Sequence, residues 1–300
     1  MMPTSQRWSI VVIVLAAGAF ALCANHLMPQ RIETTDMRFV SGNLTLFGTL
    51  YLPEPATAQL PGVVICHGGT RRGRRLALYV AMARALALRG YAVLTFDFRG
   101  FGDSDDPQRL RTFADLDFVT DVSAALTALS KQSQVDATRL YAVGHSFGAG
   151  VAVMAGIRDP RVRKVVSISA GRGTMPRFFG ENATDPDYPQ KRMSRDMKIA
   201  PPIPQALFYP HLMDYIAEAI LDYPTHPPVL LVDGANERAE ELTFLNDVYD
   251  RMTPPKGYVT IPGADHYFGT KMDQDGSRGD FPYNRAVLNA LIDALAHWLR

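Results

Sequence analysis

The chain is short of several things that would each point to a function. It has two cysteines, Cys23 and Cys66, in 300 residues. That excludes a disulfide-stapled scaffold and a Cys-rich zinc site. It has almost no net charge, because 31 Lys+Arg stand against 30 Asp+Glu. A dedicated nucleic-acid binder carries a clear basic excess, so no nucleic-acid partner is expected. There is no HExxH, no P-loop, no GxGxxG after a strand pattern and no Cys/His cluster with metal spacing. Neither a metal nor a cofactor is therefore expected. What is present is apolar: 47% hydrophobic and 20% charged residues suit a sizeable core and exclude a disordered or fibrous chain.

Residues 8–24 read WSIVVIVLAAGAFALCA, an uncharged run preceded by Arg7. It is at the short limit for a membrane span and slightly long for a signal-peptide core. We read 1–24 as a signal peptide or an amino-terminal membrane anchor, with possible membrane association through 8–24 and an exported, non-cytoplasmic location. Leu22 before Cys23 argues against lipidation. Residues 25–36 read as a linker and 37–300 as the folded domain.

Met37 to Leu52 alternate apolar and polar around Ser41-Gly42-Asn43, the pattern of an antiparallel hairpin. Short apolar runs follow at Val63–Cys66, Tyr91–Phe96, Leu140–Val143, Val165–Ser169, Val229–Val232 and Tyr258–Ile261. Runs this short and rich in β-branched residues suit strands buried on both faces. Helical stripes lie between them, as in Tyr79-Met82-Ala83-Leu86-Ala87, with Gly90 as its stop, Phe118 to Leu129 and Leu288 to Leu299. The alternation predicts an α/β fold: a mostly parallel sheet with helices on both faces. Residues 171–226, rich in Pro, Arg and Asp and without a strand pattern, read as an inserted cap.

Gly144-His145-Ser146-Phe147-Gly148 joins a strand pattern to a helical one. A serine at the apex of such a turn is presented above the strand end, with small residues on both sides to avoid clashes. A serine hydroxyl needs a base. Of seven histidines, His266 follows the last strand run and so lies at the same sheet edge as Ser146. His145 lies inside the turn with its side chain directed away, and His67 belongs to another loop. For the acid that orients the imidazole, Glu237 and Asp233 compete, both just after Val229–Val232. Glu237 is favoured because it reaches further over the sheet. His67-Gly68-Gly69-Thr70 allows close approach of a backbone N–H to a developing oxyanion. Gly69 is favoured over Thr70, with the N–H of Phe147 as the second donor.

The strand-end HGG at 67–69, DFRGFGDS at 97–104, GHSFG at 144–148, VDGANE at 232–237 and GADHYF at 263–268 occur together in this order. In them the chain resembles the α/β-hydrolase fold superfamily, most closely its serine aminopeptidase-like and dienelactone-hydrolase-like branches. The resemblance covers roughly residues 37 to 300. In that family an Asp usually stands where Glu237 stands, after a His-Gly pair that Asp233-Gly234 replaces here. The resemblance also implies that Asp97 and Arg99 organise a loop beside the site. The expected activity is that of a serine hydrolase on a small-molecule ester or, as the runner-up, a peptide. In the peptide reading the acidic cap residues Glu181, Asp185 and Asp187 would receive an α-amino group. A non-catalytic binding protein on the same scaffold is the alternative of a different class. Arg71, Arg72, Arg74 and Arg75 read either as a solvated face or as recognition of an anionic substrate.

Overall fold

The computed structural model describes residues 31–56, 59–107, 116–170, 217–272, 274–277 and 281–300. Among them, eight strands form one sheet in the order β1-β2-β4-β3-β5-β6-β7-β8. The strands are β1 (Arg31–Ser41), β2 (Leu44–Glu54), β3 (Leu60–Cys66), β4 (Ala92–Phe96), β5 (Val135–His145), β6 (Val162–Ile168), β7 (Val229–Gly234) and β8 (Lys256–Ile261). Strands β1 and β2 form the expected hairpin across Gly42-Asn43, and β2 pairs antiparallel with β4. Every pairing from β4 to β8 is parallel.

The central strands are apolar throughout because both faces are covered. Along β3, Val63 and Ile65 enter one core while Val64 and Cys66 enter the other. The same alternation holds for Tyr141 and Val143 against Leu140 and Ala142 in β5. Period-2 side chains thus feed two cores at once. Helices α1 (Ala77–Ala87) and α5 (Arg285–Leu299) cover one face. Helices α2 (Phe118–Ser130), α3 (Phe147–Arg158) and α4 (Ala239–Arg251) cover the other. Cys66 is a buried core residue, and burial pushes its thiol far above the ordinary range, so it is no nucleophile.

One expected boundary changes. The linker assigned to 25–36 ends by residue 31, because Arg31–Asp36 belong to β1. Its charged, exposed residues suit an edge strand, which they protect from pairing with another chain. Most of the expected cap, residues 171–216, lies outside the described residues. Of its last part, Ala217–Asp222 form a short 3-10 helix whose Ala217 and Ile220 are buried in one of the two cores. Residues 1–30, including the apolar run 8–24, also lie outside. Among the described residues, no helix is long and apolar enough to cross a membrane.

Strand register decides which loops meet. Cys66 lies beside Gly144, His145 beside Ile168, Ile168 beside Val232, and Val232 beside Val259. The loops leaving β3, β5, β7 and β8 therefore emerge side by side at the carboxyl edge of the parallel strands. The chain order reverses around β3, which has β4 on one side and β5 on the other. Crevices at such switch points are where open α/β sheets bind ligands.

Candidate active site

Ser146 stands between β5 and α3 with φ 55° and ψ −123°, a backbone region L residues rarely occupy. The flanking glycines make this turn possible. A Cβ on Gly144 would come within 2.1 Å of the Gly148 carbonyl oxygen. One on Gly148 would meet the carbonyl oxygens of Cys66 and His67 at 2.4 Å. The turn is held by the Ser146 N–H, which donates to the Ile168 carbonyl at 2.8 Å.

His266 lies on the loop after β8. Asp265 shapes that loop by accepting from the N–H groups of Tyr267 and Gly269 at 3.1 and 3.3 Å. Phe268, with φ 49°, completes the turn. The neighbouring loop after β7 is stitched to it, since the Asn236 N–H donates to the Ala264 carbonyl at 2.8 Å. These constraints bring three expected residues into one line. Ser146 Oγ is 3.2 Å from His266 Nε2, and His266 Nδ1 is 2.8 Å from Glu237 Oε1. The line runs one way if His266 Nδ1–H donates to the carboxylate and Nε2 accepts from the serine hydroxyl. Burial alone would raise the Glu237 carboxyl. The hydrogen bond and charge of His266, with Arg238 nearby, hold it below its ordinary value, so it is ionised.

Asp233, the competing acid, is not in this line. It is 1% exposed and accepts from the Tyr258 hydroxyl at 2.8 Å. Its other oxygen has no partner among the described residues. Burial pushes it up to about 7, against the Tyr258 hydrogen bond and with the charges of Glu237 and Glu241 adding to the rise. A carboxyl pushed this far toward its neutral form is a poor counter-charge for an imidazolium.

The two expected oxyanion donors flank Ser146. Gly68 packs on the turn so closely that a Cβ there would stand 3.0 Å from Ser146 Cβ. The next residue, Gly69, is exposed, and no described residue accepts from its N–H. The Thr70 N–H, in contrast, donates to the Gly68 carbonyl at 2.8 Å. The N–H of Phe147 begins α3, where the helix dipole favours negative charge.

Of the four arginines in the cluster, Arg74 is buried, while Arg71, Arg72 and Arg75 are exposed, as a solvated face requires. Arg74 is buried against the carboxylate of Asp97 and reaches Asp103 at 2.9 Å. Arg75 pairs with Asp103 at 2.5 Å, and Arg72 lies 3.6 Å from Asp275. Asp97 also accepts from the N–H groups of Arg74 and Asp103 at 2.7 and 3.0 Å, so it organises this loop. Arg99 grips Asp121 from α2, with contacts of 2.6 to 3.0 Å. Among the described residues no group of three or more His, Cys, Asp or Glu side chains could hold a metal ion.

Two residues beside the site were not singled out from the sequence for a role there. Tyr79 reads as one more position in the apolar stripe of α1, and His145 as the variable residue of the turn. Both are buried and hydrogen-bonded to each other, at 2.9 Å. A polar Tyr in a stripe of Ala, Met and Leu was the available signal.

Residues 61–197 match the family model described as the alpha/beta hydrolase fold. The chain is 29% identical over 220 residues to Rv2307c of Mycobacterium tuberculosis, covering 73% of this chain and 67% of that one. It is 27% identical over 168 residues to Esterase FrsA of Serratia proteamaculans, covering 56% of this chain and 38% of that one. Its fold is similar to that of the alpha/beta hydrolase GrgF from Penicillium sp. sh18. The TM-score is 0.60 and the identity 18%, over 89% of this chain and 99% of that one. With the strand order, the serine turn and the loop placement described above, these likenesses show that the chain has the α/β-hydrolase fold.

Proposed function

We propose that the protein is a serine hydrolase that cleaves a small-molecule carboxylic ester, or a related thioester or amide, through an acyl-enzyme. The observation that carries this reading is the unbroken hydrogen-bonded line from Ser146 through His266 to Glu237, at 3.2 and 2.8 Å. Ser146 Oγ attacks the substrate carbonyl carbon while His266 Nε2 takes its proton. The imidazolium is stabilised by the ionised Glu237. The carbonyl electrons move onto oxygen, which the N–H groups of Gly69 and Phe147 receive; one such donor contributes about 3 kcal/mol in comparable sites. His266 then passes the proton to the leaving group, the ester bond breaks, and the acyl group stays on Ser146. Water, deprotonated by the same imidazole, releases the acid and restores the serine.

The likeness to an esterase favours ester over peptide substrates. The peptidase reading leaned on Glu181, Asp185 and Asp187, which lie outside the described residues. The test is labelling with a fluorophosphonate probe, followed by turnover of p-nitrophenyl esters of increasing chain length beside aminoacyl-nitroanilides. Labelling at Ser146 and preference for the esters are expected. An unreactive chain would return the non-catalytic scaffold reading, and faster nitroanilide turnover would favour the peptidase.

The reading includes export, on the sequence of residues 8–24 alone. A reporter active only outside the cytoplasm should be active when fused to residues 1–36. A reporter that stays cytoplasmic would remove export from the reading.

A further inference from the structure

Behind the reacting groups runs a second hydrogen-bonded line that none of the steps above uses. His145, adjacent to Ser146, is 1% exposed, and both of its ring nitrogens are engaged. Nε2 lies 2.7 Å from the main-chain carbonyl oxygen of His266. Nδ1 lies 2.9 Å from Tyr79 Oη. The Tyr79 oxygen in turn accepts from the Gly68 N–H at 2.7 Å.

One acceptor sets every proton along this line. A carbonyl oxygen can only accept, so Nε2 must carry the proton of a neutral His145. Nδ1 is then an acceptor, and the Tyr79 hydroxyl donates to it. The Tyr79 lone pairs are left for the Gly68 N–H. A protonated His145 would have two donors, so Nδ1–H would donate to Tyr79 Oη and the Tyr79 hydroxyl proton would lose its acceptor. Burial opposes that charge, helped by the nearby His266 and resisted by the bond to its carbonyl, and pushes His145 down to about 3. The rings of Tyr79, His266, Tyr267 and Phe268 pack around it.

The line joins three loops that the sheet only brings near one another. Gly68 belongs to the loop after β3, which carries the oxyanion donor. His145 ends β5 and leads into Ser146. The His266 carbonyl belongs to the loop after β8, which carries the base. We propose that Tyr79 and His145 are positioning residues that set the spacing between His266 and the Gly69 N–H around Ser146. This role rests on the hydrolase reading above. Its physical basis is that an error of about 1 Å in the placement of reacting groups costs on the order of 100-fold in rate.

The test uses the full chain and the variants Tyr79→Phe, His145→Leu and His145→Gln. Glutamine can present an N–H where His145 Nε2–H stands, and leucine cannot. Reactive serines are counted with the fluorophosphonate probe, so misfolded molecules do not enter the rate. Per reactive serine, kcat for an ester should fall on the order of 10- to 100-fold in Tyr79→Phe and His145→Leu, with KM within about twofold. His145→Gln should recover most of the loss. A purely structural role would lower the number of reactive serines and leave the kcat of each unchanged. Nitrogen NMR of the histidine rings in the wild-type chain should show His145 as the Nε2–H tautomer, unchanged from about pH 5 to about pH 9, where an ordinary histidine titrates. Wild-type kcat in the Phe and Leu variants, or an Nδ1–H tautomer, would overturn the proposal. A wild-type chain with the Nε2–H tautomer that ignores the probe would overturn the hydrolase reading, and this role with it.

Discussion

Glu237 Oε1 lies 2.8 Å from His266 Nδ1, whereas Asp233, on the strand that leads into the same loop, accepts from Tyr258 at 2.8 Å. Both carboxylates follow the same apolar run, and only one reaches the imidazole. The difference is one of direction. Asp233 is still in β7, where its side chain is fixed by the pleat and buried. Glu237 comes after the turn, where the Glu237 N–H donates to the Gly234 carbonyl at 3.0 Å and the longer side chain extends over the sheet edge.

Glu237→Gln should therefore lose on the order of 10³- to 10⁴-fold in kcat for an ester, since an amide holds the ring but cannot stabilise its charge. Asp233→Asn should stay within about tenfold, because the amide oxygen still accepts from Tyr258. Steady-state kinetics of the two variants checks this, and the reverse order would transfer the acid role to Asp233.

Ser146→Ala should lower kcat on the order of 10⁶-fold, as in other triads stripped of their nucleophile. Ser146→Gly should be equally inactive and yet more stable than wild type. Glycine relieves the strain of φ 55°, which is of order 1–3 kcal/mol, against roughly 0.5–1 kcal/mol of added chain entropy. A gain of about 1 kcal/mol corresponds to a few degrees in Tm for a domain of this size. A lower Tm in Ser146→Gly would mean that the serine side chain contributes more than the strain costs.

Asp233 and His145 should tilt the pH dependence of stability in opposite senses. The folded-state value of Asp233, about 7, lies above the ordinary carboxylate range. Between about pH 4 and pH 7 the folded chain holds a proton that the unfolded chain has released, so stability falls as pH rises. Asp233→Asn should thus gain on wild type across this window, by a few kcal/mol in order of magnitude, and level off above it. For His145, at about 3, the unfolded chain binds the extra proton between about pH 3 and pH 6.5, so stability falls as pH falls. His145→Gln should lose ground to wild type as pH rises through that range. Denaturant titrations at several pH values read both differences, and pH-independent differences would contradict the two assignments.

Arg74→Gln should destabilise the domain by roughly 3–5 kcal/mol, since it leaves the buried Asp97 carboxylate without its guanidinium. Arg75→Gln, in a half-exposed pair, should stay within about 1 kcal/mol. Neither Arg72→Gln nor Arg75→Gln should change the ratio of KM for anionic and neutral esters. A selective rise for anionic esters would restore these arginines as substrate contacts.

The elements that carry strong local patterns were legible from the chain. All six expected runs are strands; five are buried on both faces, as their apolar runs require, and the sixth, β8, is a part-buried edge strand. Gly144 is required by contacts within a few residues, with Gly148 and Ala149, so the serine turn is legible in the chain. Helix α4 carries no clear sequence signal, because its buried stripe is only Glu241, Leu245 and Val248, among otherwise polar residues. The first half of β1 has no strand signature in the sequence, because an exposed edge strand carries little apolar alternation.

By itself the sequence determined the fold class, the loops that hold the site, and Ser146 and His266 as its candidate pair. These follow from periodicity, turn chemistry and chain order, which are local properties. Only the tertiary structure separated Glu237 from Asp233 and Gly69 from Thr70, buried Arg74 against Asp97, and joined Tyr79 to His145. Apart from the turn that takes the Thr70 N–H, each of those outcomes depends on which atoms from distant parts of the chain come within about 3 Å, the range over which a hydrogen bond forms. Sheet register and loop hydrogen bonds set that proximity, and no stretch of neighbouring residues encodes it.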